Sequence, residues 1–437
     1  MKGEQAPEVA EISSLDHAGR GVARIDGKAV FVDGALPGEQ VRLRRTRRRR
    51  RHDEAVVLEV LRPSPQRVVP RCAHFGVCGG CSLQHLDHAA QLAVKGRIVA
   101  EELERIGGVQ PARWLPPLAG PTWSYRRRAR LGCKFVDKKG KLLVGFRERG
   151  SALIADLRRC EILADPVGGL LEELAALIGG LDLCRRIPQI EVAVAENAIA
   201  LVLRVLEAPQ AADLARLAEF ESQHGIVLYL QTGGLSTVTP LSPPAAALRY
   251  ELPGLAAGIE FSPVDFVQVN GEMNRRMIAL ALALLEPQPT DRALDLFCGL
   301  GNFSLPLAPR VAEVIGVEGE SALVERARAN AERNGIANAR FHAANLADPS
   351  PAAAWARQRH DLVLLDPPRA GAREVLPLIA ACSPRQVVYV SCHAGTLARD
   401  AGILVNELGF RFSAAGIMDM FPHTSHVESI ALFEPPQ

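Results

Sequence analysis

The chain has 437 residues, of which 48% are hydrophobic and 23% are charged, with 51 Lys and Arg against 49 Asp and Glu. This composition provides apolar material for roughly three packed domains and excludes a mainly disordered protein. The longest apolar stretch, around Ile278 to Leu285, is far shorter than the roughly 18 residues of a membrane span, and the polar start has no signal-peptide core. We therefore expect a cytoplasmic protein.

The first 62 residues have the pattern of a small β-barrel. Short β-branched runs in GVARIDG and KAVFVDG are separated by Asp-Gly turn signals, and Val56 to Leu61 is another candidate strand. Pro63, Ser64 and Pro65 then have the composition of a linker. These features predict a first domain that ends near residue 64.

A run of basic residues interrupts the otherwise balanced charge. The segment Arg42 to Arg51 has eight arginines in ten positions and no acid. Such runs are usually solvated strands or loops, but on a small β-barrel they also suit a surface that follows phosphates. A second basic segment, Tyr125 to Arg130, combines an aromatic residue with four arginines. Together the two segments predict an RNA or DNA partner.

The nine cysteines are unevenly distributed along the chain. Cys72, Cys78 and Cys81 lie in a Cys- and Gly-rich stretch, 68–84, which we expect to be a loop organised by a bound group, with Cys160 as a candidate fourth ligand. On spacing alone, structural zinc and an iron–sulfur centre are equally compatible with this set. The remaining candidates for packed core thiols are Cys133, Cys184 and Cys382.

The middle of the chain predicts an α+β domain that extends to about residue 258. A helical pattern covers Ala90 to Ile106, and another covers Asp213 to Gln223. Between them, the sequence IEVAVAENAIALVLRV from Ile190 shows the alternation of strands.

From Asp291 onward, short apolar runs alternate with helical segments. We expect helices at Ser321 to Asn334, capped by Ser321, and at Thr396 to Leu408. Continuous apolar strands separated by helices predict a parallel sheet that is covered on both faces. The predicted strands are Ala293 to Phe297, Val314 to Val317, Leu362 to Leu365 and Val387 to Val390.

The first of these strands leads into a glycine turn, Cys298-Gly-Leu-Gly-Asn302, at the edge where doubly wound sheets bind ligands. Glu318 ends the next strand, where an acid can accept hydrogen bonds from ribose hydroxyls. Because Ser304 stands where a dinucleotide fingerprint has its third Gly, a nicotinamide cofactor is disfavoured and a single nucleoside such as S-adenosylmethionine still fits. The alternative is a tight turn without a ligand.

Two later strands end in residues with chemical potential. Asp366 precedes two prolines and Arg369, and Cys392 precedes a helix whose N-terminus is expected to favour a thiolate nucleophile. The segment 421–428 adds two histidines and Glu428, a candidate proton acceptor. The alternatives are a buried structural thiol and surface histidines.

Taken together, these motifs resemble the uracil-5 RNA methyltransferase family, and within it the branch that acts on bacterial 23S ribosomal RNA. The resemblance covers nearly the whole chain. It implies an α/β architecture of three parts: an N-terminal TRAM β-barrel of the oligonucleotide-binding type (1–64), a central α+β domain with an iron–sulfur loop (65–262), and a Rossmann-like class I methyltransferase domain (263–437).

The resemblance also implies roles for single residues. Cys392 of VYVSC matches the nucleophile and Glu428 of MFPHTSHVES matches the general base. A [4Fe-4S] cluster is implied on Cys72, Cys78, Cys81 and Cys160. Contacts to S-adenosylmethionine are implied for Gln268, Phe297, Asn302, Glu318, Asn345 and Asp366.

The implied reaction is methylation of carbon 5 of a flipped-out uridine in 23S rRNA through a Cys392 adduct at carbon 6. Ala394 and Ser425 depart from the usual family pattern, which has Pro and often Gly there, but neither change removes a functional group. Alternatives are another 23S uridine, the T-loop uridine of tRNA, and a non-enzymatic role in ribosome assembly. We expect a monomer without a membrane partner.

Overall fold

The computed structural model describes residues 6–435, which form two compact units. Unit 1 combines the chain up to Ile98 with the segments Phe146–Ala155 and Phe421–His426. Unit 2 consists of Val99–Gly145, Asp156–Met420 and the chain from Val427 onward. The domain boundaries expected near residues 64 and 262 stay a prediction.

Unit 1 contains a six-stranded sheet with the order β1-β5-β6-β4-β3-β2. Because β1 pairs with β5 while β2, which follows β1 after two residues, pairs with β3, the sheet closes on itself as a barrel. The strands are β1 (Glu8–Glu11), β2 (Ser14–Leu15), β3 (Gly21–Ile25), β4 (Lys28–Asp33), β5 (Gln40–Arg48) and β6 (His52–Arg62). The predicted small barrel is confirmed.

Local turn chemistry explains part of this barrel. Asp26 and Gly27 join β3 to β4, and both have positive φ, 52° and 77°, which is the geometry of a two-residue type I′ hairpin. The barrel interior is apolar and includes Val30, Val32 and Leu43. Alternation of inward apolar and outward polar side chains therefore sets the register of the strands.

The linker predicted at Pro63 to Pro65 belongs to unit 1, and its prolines are exposed while Ser64 is buried. Ser64 is buried, and its backbone N–H donates to Oε1 of Glu39 at 3.2 Å. The fully buried Glu39 also accepts from Arg67 and from the backbone N–H of Leu36 at 2.8 Å. The Pro-Ser-Pro composition is compatible with a solvated linker and with a segment held in place by one buried carboxylate. The structure has the second arrangement.

The cysteine-rich stretch has no helix or strand between β6 and helix α1 (His88–Glu102), which confirms the predicted loop. The helix predicted from Ala90 is α1 and continues as a π-helical turn, Leu103–Gly107. Within unit 1, Leu83 and Leu86 after the loop pack with Ala90 and Val94 of α1 in one apolar cluster. The loop is thus anchored at its C-terminal end.

Unit 2 contains a six-stranded mixed sheet of order β13-β12-β11-β10-β8-β9 and the two-stranded sheet β14–β15. In chain order, the strands up to this point are β7 (Arg113–Trp114), β8 (Arg128–Val136), β9 (Lys141–Gly145), β10 (Gln189–Val194), β11 (Ile199–Arg204), β12 (Val227–Gln231), β13 (Val238–Pro240), β14 (Leu248–Tyr250) and β15 (Ile259–Phe261). Helices α2 (Leu171–Gly179) and α3 (Ala211–His224) complete the predicted α+β arrangement.

The remaining sheet of unit 2 has eight strands in the order β18-β17-β16-β19-β20-β22-β21-β7. Its other strands are β16 (Arg292–Leu296), β17 (Glu313–Glu318), β18 (Ala339–Ala343), β19 (Leu362–Leu365), β20 (Gln386–Ser391), β21 (Arg411–Met418) and β22 (Glu428–Glu434). The helices are α4 (Gly271–Leu285), α5 (Ser304–Leu307), α6 (Ser321–Arg333), α7 (Leu376–Ala381) and α8 (Ala394–Gly402), which continues as the π-helical turn Ile403–Glu407.

The prediction of a parallel sheet is only partly right. Strands β16 to β20 are parallel, but β22 pairs antiparallel with both β20 and β21. The reason is that β21 and β22 are joined by a loop without a crossover helix, which an antiparallel pair permits and a parallel pair does not. The antiparallel strand β22 begins with Glu428, the predicted proton acceptor.

Two helix starts also differ from the prediction. Ser321 is the first helical residue of α6 and not its cap, since Glu320 occupies the N-cap without a side-chain capping bond. Helix α8 begins at Ala394, because Nδ1 of His393 accepts from the backbone N–H of Thr396 and caps the helix two residues earlier than expected. Among the predicted core thiols, Cys133 and Cys382 are buried, but Cys184 is only half-buried.

In the described part of the chain, no helix is long and apolar enough to cross a membrane.

Candidate functional site

The candidate site lies in unit 2 at the carboxyl ends of the parallel strands. β16, β17, β18, β19 and β20 run in the same direction, so the residues that follow them meet at one edge of the sheet. In open α/β sheets this edge is where ligands bind. The predicted residues that follow or end these strands are Phe297, Glu318, Asn345, Asp366 and Cys392.

The glycine turn after β16 has an unusual backbone. Three of its residues have positive φ: Phe297 at +65°, Gly299 at +53° and Gly301 at +87°. A left-handed conformation at a large non-Gly residue costs on the order of 1 kcal/mol and is characteristic of functional loops. The backbone N–H of Phe297 donates to the carbonyl of Val317 at 2.8 Å, which holds the turn against β17. The turn therefore exposes main-chain groups at the sheet edge.

Glu318 is fixed beside this turn. Its Oε2 accepts from the backbone N–H of Gly299 at 3.1 Å, and its Oε1 accepts from the backbone N–H of Glu320 at 3.1 Å. Each carboxylate oxygen can accept a further bond. Glu318 is thus held in one orientation with acceptor capacity left for the hydroxyls of a nucleoside.

Asn302, at the end of the turn, has most of its side chain engaged within the protein. Its Oδ1 accepts from the hydroxyl of Tyr250 at 3.0 Å and from Nδ2 of Asn274 at 2.9 Å. Its Nδ2 donates to Oδ1 of Asn274, also at 2.9 Å. Only one amide hydrogen remains for a ligand.

Two carboxyl groups at the edge have strongly perturbed acidity. Burial raises the pKa of Asp295 to about 7, and the charges of Asp366 and Glu318 add to this shift. A hydrogen bond from Ser304 opposes it. Desolvation raises the pKa of Asp366 to about 7 as well. Nε2 of Gln268 lies 3.5 Å from Oδ2 of Asp366, so these two predicted residues are neighbours. Perturbed carboxyls of this kind are typical of functional sites.

Strand pairing places Cys392 beside Glu428. In the antiparallel β20–β22 pair, Ser391 is opposite Ser429. Cys392 directly follows Ser391 and Glu428 directly precedes Ser429, so the two residues flank the last pair of this ladder. After burial, the charge of the buried Glu428 has the largest effect on the pKa of the Cys392 thiol. The antiparallel strand missed by the sequence analysis therefore brings the predicted base to the predicted nucleophile.

The expectation that the helix N-terminus favours a Cys392 thiolate is wrong for the free protein. Burial, together with the charges of Glu428 and Asp366, raises the pKa of Cys392 to about 11, and Arg369 opposes this shift. The physical reason is that Cys392 precedes α8 by two residues and faces two carboxylates, which outweigh the helix dipole. Cys392 is a protonated thiol at neutral pH.

Asn345 is the predicted residue least integrated into this constellation. It follows β18, is exposed, and its Oδ1 accepts from the backbone N–H of Ala347 at 3.0 Å. Ala344, next to it, donates its N–H to the carbonyl of Glu318 at 2.9 Å. Asn345 therefore lies at the same edge, next to Glu318, although no side-chain bond joins it to the other predicted residues that the structure describes.

The sequence analysis missed several groups at this edge. Asp295 is fully buried in β16, and an acid inside an apolar strand is a signal that could have identified it. Tyr250 and Asn274, which hold Asn302, carry no such signal, because their sequence neighbourhoods are ordinary. His423, predicted to join the proton-accepting group, belongs to unit 1, where its Nδ1 lies 3.3 Å from Nε2 of Gln91.

The cysteine loop of unit 1 has the donor chemistry of a metal centre. Cys72, Cys78 and Cys81 are free thiols, and the Cys72 charge is one of the influences that, after burial, raise the pKa of Cys78. The backbone N–H of Gly80 lies 3.4 Å from Sγ of Cys78, as in loops that stabilise ligated thiolates. However, within residues 6–435 no group of three or more His, Cys, Asp or Glu is arranged to hold a metal ion.

A buried histidine adds to the fit of this loop. His85 is 2% exposed, and its ring lies 5.1 Å from that of Phe75 in the loop. Neither ring nitrogen has a hydrogen-bond partner among the described residues. An unsatisfied N–H donor beside a thiol-rich loop is compatible with a sulfur acceptor, which favours a bound sulfur-rich group. The fourth expected ligand, Cys160, is a buried residue of unit 2.

The two basic segments differ sharply in the structure. The Arg42–Arg51 run forms the end of β5 and the turn to β6, and Arg47, Arg48, Arg50 and Arg51 are exposed there without an ion pair to any described residue. Arg45 is different, because it pairs with Glu8 at 2.8 Å and with Asp53. The run therefore has a structural member and an exposed tip.

The second segment is mostly occupied by internal contacts. Arg127 pairs with Glu196 at 3.3 Å, and Arg128 donates to the carbonyl oxygens of Val192 and Pro263. Only about 14% of each of these two side chains is exposed. The interpretation of Tyr125 to Arg130 as a phosphate-binding surface is thus wrong for Arg127 and Arg128, whose charges are directed into the protein.

Comparison with solved structures supports the class of the fold. The crystal structure of Pyrococcus abyssi tRNA (uracil-54, C5)-methyltransferase in complex with S-adenosyl-L-homocysteine matches 97% of this chain and 99% of that chain, with a TM-score of 0.74 and 24% identity. This match, together with the doubly wound sheet and its glycine turn, defines a methyltransferase fold.

Sequence comparison narrows the assignment. A model of the tRNA (Uracil-5-)-methyltransferase family matches residues 258–435, and a model of the TRAM domain of tRNA (uracil(54)-C(5))-methyltransferase matches residues 9–66. Proteins named 23S rRNA (uracil(1939)-C(5))-methyltransferase RlmD, from Stenotrophomonas maltophilia and Xanthomonas campestris, are each 52% identical over 99% of this chain and 98% of their own length. The chain belongs to this family of uracil-C5 RNA methyltransferases.

Proposed function

We propose that the protein transfers a methyl group from S-adenosylmethionine to carbon 5 of a uridine in 23S rRNA. The proposed target is the uridine at position 1939, which the names of its relatives specify. The observation that carries the proposal is the β20–β22 pairing of Ser391 with Ser429, which flanks Cys392 and Glu428, together with the effect of the Glu428 charge on the Cys392 thiol. A nucleophile and a base close to each other are what addition and elimination on a pyrimidine ring require.

In this reaction, Sγ of Cys392 forms a bond to carbon 6 of the uracil, and the π electrons of the ring shift to give an enolate. Carbon 5 then forms a bond to the methyl carbon of S-adenosylmethionine, whose sulfonium leaves as the neutral thioether. Glu428 removes the proton from carbon 5, and the bond between Sγ and carbon 6 breaks to restore the aromatic ring.

The raised pKa of the Cys392 thiol shapes the first step. Because Cys392 is protonated at neutral pH, its proton has to pass to solvent water as the sulfur attacks. Arg369 is the group whose charge lowers the pKa of Cys392, so it favours the thiolate when the uridine is in place. This arrangement keeps an unoccupied enzyme from carrying a reactive thiolate.

The methyl donor is proposed to bind at the glycine turn. Glu318 would accept bonds from the ribose hydroxyls, and Asp366 and Gln268 would lie near the methionine part. The main chain of Phe297 to Gly301 provides close approach, and Asn302 offers its one remaining amide hydrogen. Asn345 is proposed to contact the adenine from the neighbouring strand end.

The RNA is proposed to bind as a flipped-out uridine with its flanking phosphates held elsewhere. A base stacked inside a helix cannot present its carbon 5 and carbon 6 to Cys392 and Glu428. The exposed tip of the β5–β6 hairpin offers four arginines that form no ion pair with the described residues. Such a tip suits phosphates of folded RNA, without reading its sequence.

A [4Fe-4S] cluster on Cys72, Cys78, Cys81 and Cys160 is part of the proposal. The donor set is soft and the loop has no regular structure of its own, which suits a group that orders it. When bound, the cluster would supply cross-linking of the loop and no electron to the methyl transfer. We also propose a monomer that works in the cytoplasm.

The test is a comparison of ribosomal and transfer RNA from a strain that lacks the gene with RNA from the parent strain. Mass mapping should show loss of 5-methyluridine at one 23S position, and restoration by the wild-type gene but not by Cys392→Ala. Loss at a different 23S uridine or in the tRNA T-loop would redirect the substrate assignment. Unchanged methylation everywhere would favour a non-enzymatic role in ribosome assembly.

A further inference from the structure

The amide of Asn302 is held by two residues that lie outside the glycine turn. Asn274 is on the second turn of α4 and makes a reciprocal amide pair with it, and Tyr250 ends β14. Tyr250 is 4% exposed and Asn274 is 3% exposed, so water does not compete for these bonds. Hydrogen bonds to these two buried side chains hold the partly exposed amide of Asn302 in one orientation.

Hydrogen-bond capacity determines what this network does. The carbonyl oxygen of Asn302 has two lone pairs, and both are occupied by the Tyr250 hydroxyl and the Asn274 amide. Burial raises the pKa of Tyr250 well above its ordinary value, which keeps its hydroxyl a donor. Asn302 therefore cannot turn its oxygen toward a ligand without breaking two buried bonds.

The same helix start connects two sides of the candidate site. Asn270 caps α4 by accepting from the backbone N–H of Met273 at 3.2 Å, and Asn274 follows one turn later. Gln268, two residues before the cap, reaches Asp366. The beginning of α4 thus holds the turn after β16 through Asn302 and approaches the end of β19 through Gln268.

Tyr250 is itself fixed by packing. Its strand pairs antiparallel with β15, and its ring lies 5.8 Å from that of Phe261. Because these two short strands are separated from the catalytic sheet in sequence, their contact with the glycine turn is a tertiary constraint on its shape.

We propose that Tyr250 and Asn274 are positioning residues for the methyl donor, which they serve by fixing Asn302 and with it the glycine turn. This inference rests on the proposed function. The donor then meets a preformed turn and does not have to order it on binding. The expected contribution is to affinity for S-adenosylmethionine and not to the chemical step.

The test compares Tyr250→Phe and Asn274→Asp with Tyr229→Phe in the full-length protein. Tyr229 is a tyrosine of β12 that is 8% exposed, and its hydroxyl makes no hydrogen bond to the residues the structure describes, so its variant controls for removal of a hydroxyl. Asn274→Asp keeps the shape but places an acceptor against the carbonyl of Asn302. Isothermal titration with S-adenosylmethionine and steady-state kinetics give the dissociation constant, KM and kcat.

We expect Tyr250→Phe to raise the dissociation constant and KM for S-adenosylmethionine about threefold to tenfold, the size of one net hydrogen bond. We expect Asn274→Asp to raise them more. kcat at saturating donor and RNA affinity should stay within about twofold of wild type, and Tyr229→Phe should change neither.

A dissociation constant within about twofold of wild type for both Tyr250→Phe and Asn274→Asp would overturn the inference. So would a fall in kcat at unchanged donor affinity. If Tyr250→Phe is too unstable to purify, Asn274→Asp decides alone. Failure of the wild-type protein to bind S-adenosylmethionine would instead contradict the proposed function, and the two failures are therefore distinguishable.

Discussion

The arginine run between Arg42 and Arg51 contains one arginine expected to stabilise the fold and several that we propose bind RNA. Arg45 has 10% of its side chain exposed and makes a bidentate pair with Glu8, with both distances 2.8 Å, and a further bond to Asp53. Asp53 is 1% exposed and also accepts from Lys28 at 2.7 Å. By contrast, Arg48 is exposed at the end of β5.

Replacing Arg45 with Ala should destabilise unit 1 by about 3 kcal/mol. Removal of one partner of a buried ion pair costs about 3–5 kcal/mol, and the lower end applies because Lys28 and the backbone N–H of Arg49 still serve Asp53. Replacing Arg48 with Ala removes no recorded partner among the described residues and should change stability by less than about 0.5 kcal/mol.

The pH dependence of this loss follows from Asp53. Burial alone would raise its pKa, but hydrogen bonds from Lys28, Arg49 and Arg45 outweigh burial and lower it to about 2. A lowered folded-state pKa contributes stability above the unfolded value of 3.8, and this contribution is lost as pH falls toward 2. The difference between wild type and Arg45→Ala should therefore be full at pH 7 and shrink below about pH 4.

The assays are urea unfolding and RNA binding measured across salt concentrations. A variant with Ala at 47, 48, 50 and 51 should keep wild-type unfolding and lower the slope of log affinity against log salt by up to about 3, from about 0.7 for each lost phosphate contact. Arg45→Ala should keep that slope. The reasoning fails if Arg45→Ala unfolds like wild type, or if the four-residue variant keeps the full salt slope.

Three further predictions concern the site and the cysteine loop. Alkylation of Cys392 by iodoacetamide, followed by peptide mass spectrometry, should be slow at pH 7, and its rate should rise about tenfold per pH unit toward the pKa of about 11. Glu428→Gln should accelerate the reaction by removing a repelling charge. A fast, pH-independent reaction would contradict a protonated thiol. The affinity for the cationic S-adenosylmethionine, measured by calorimetry, should rise about tenfold between pH 6 and 8, because Asp366 has a pKa of about 7 and has to ionise. The affinity of Asp366→Asn should not change with pH. A wild-type affinity that is equally independent of pH would refute this coupling. Anaerobically purified protein should contain about four iron and four sulfide ions per chain. Cys78→Ser should reduce this content, whereas a matched variant at the half-buried Cys184, Cys184→Ser, should not. A preparation that contains only zinc would exclude the cluster.

The features that the sequence predicted correctly are those set by neighbouring residues. Asp26 and Gly27 adopt the two-residue turn typical of this pair, so the first hairpin of the barrel follows from four or five residues. Leu362–Leu365 forms a strand at the predicted bounds, because a short apolar run ended by two prolines has few alternatives. Glu318 and Asp366 reach one edge because parallel strands end together.

The features that sequence could not provide depend on distant residues. The partners of Arg45 include Glu8, which is 37 residues away, and nothing in the arginine run distinguishes this member from its neighbours. The antiparallel pairing of β22 depends on the edge of β20 that is free to accept a strand, which is a feature of the folded sheet. The pKa of Cys392 depends on burial and on Glu428, so the local helix signal gave the wrong sign.

The central claim is that Sγ of Cys392 becomes bonded to the target pyrimidine. The direct measurement is intact-mass spectrometry of Glu428→Gln after incubation with S-adenosylmethionine and a 23S rRNA fragment that contains the target uridine. Since the proton on carbon 5 cannot be removed in this variant, we predict a stable protein–RNA adduct that carries the new methyl group, with the linkage on the peptide that contains Cys392. Methylated RNA released without any adduct, or an adduct on a different residue, would contradict the account.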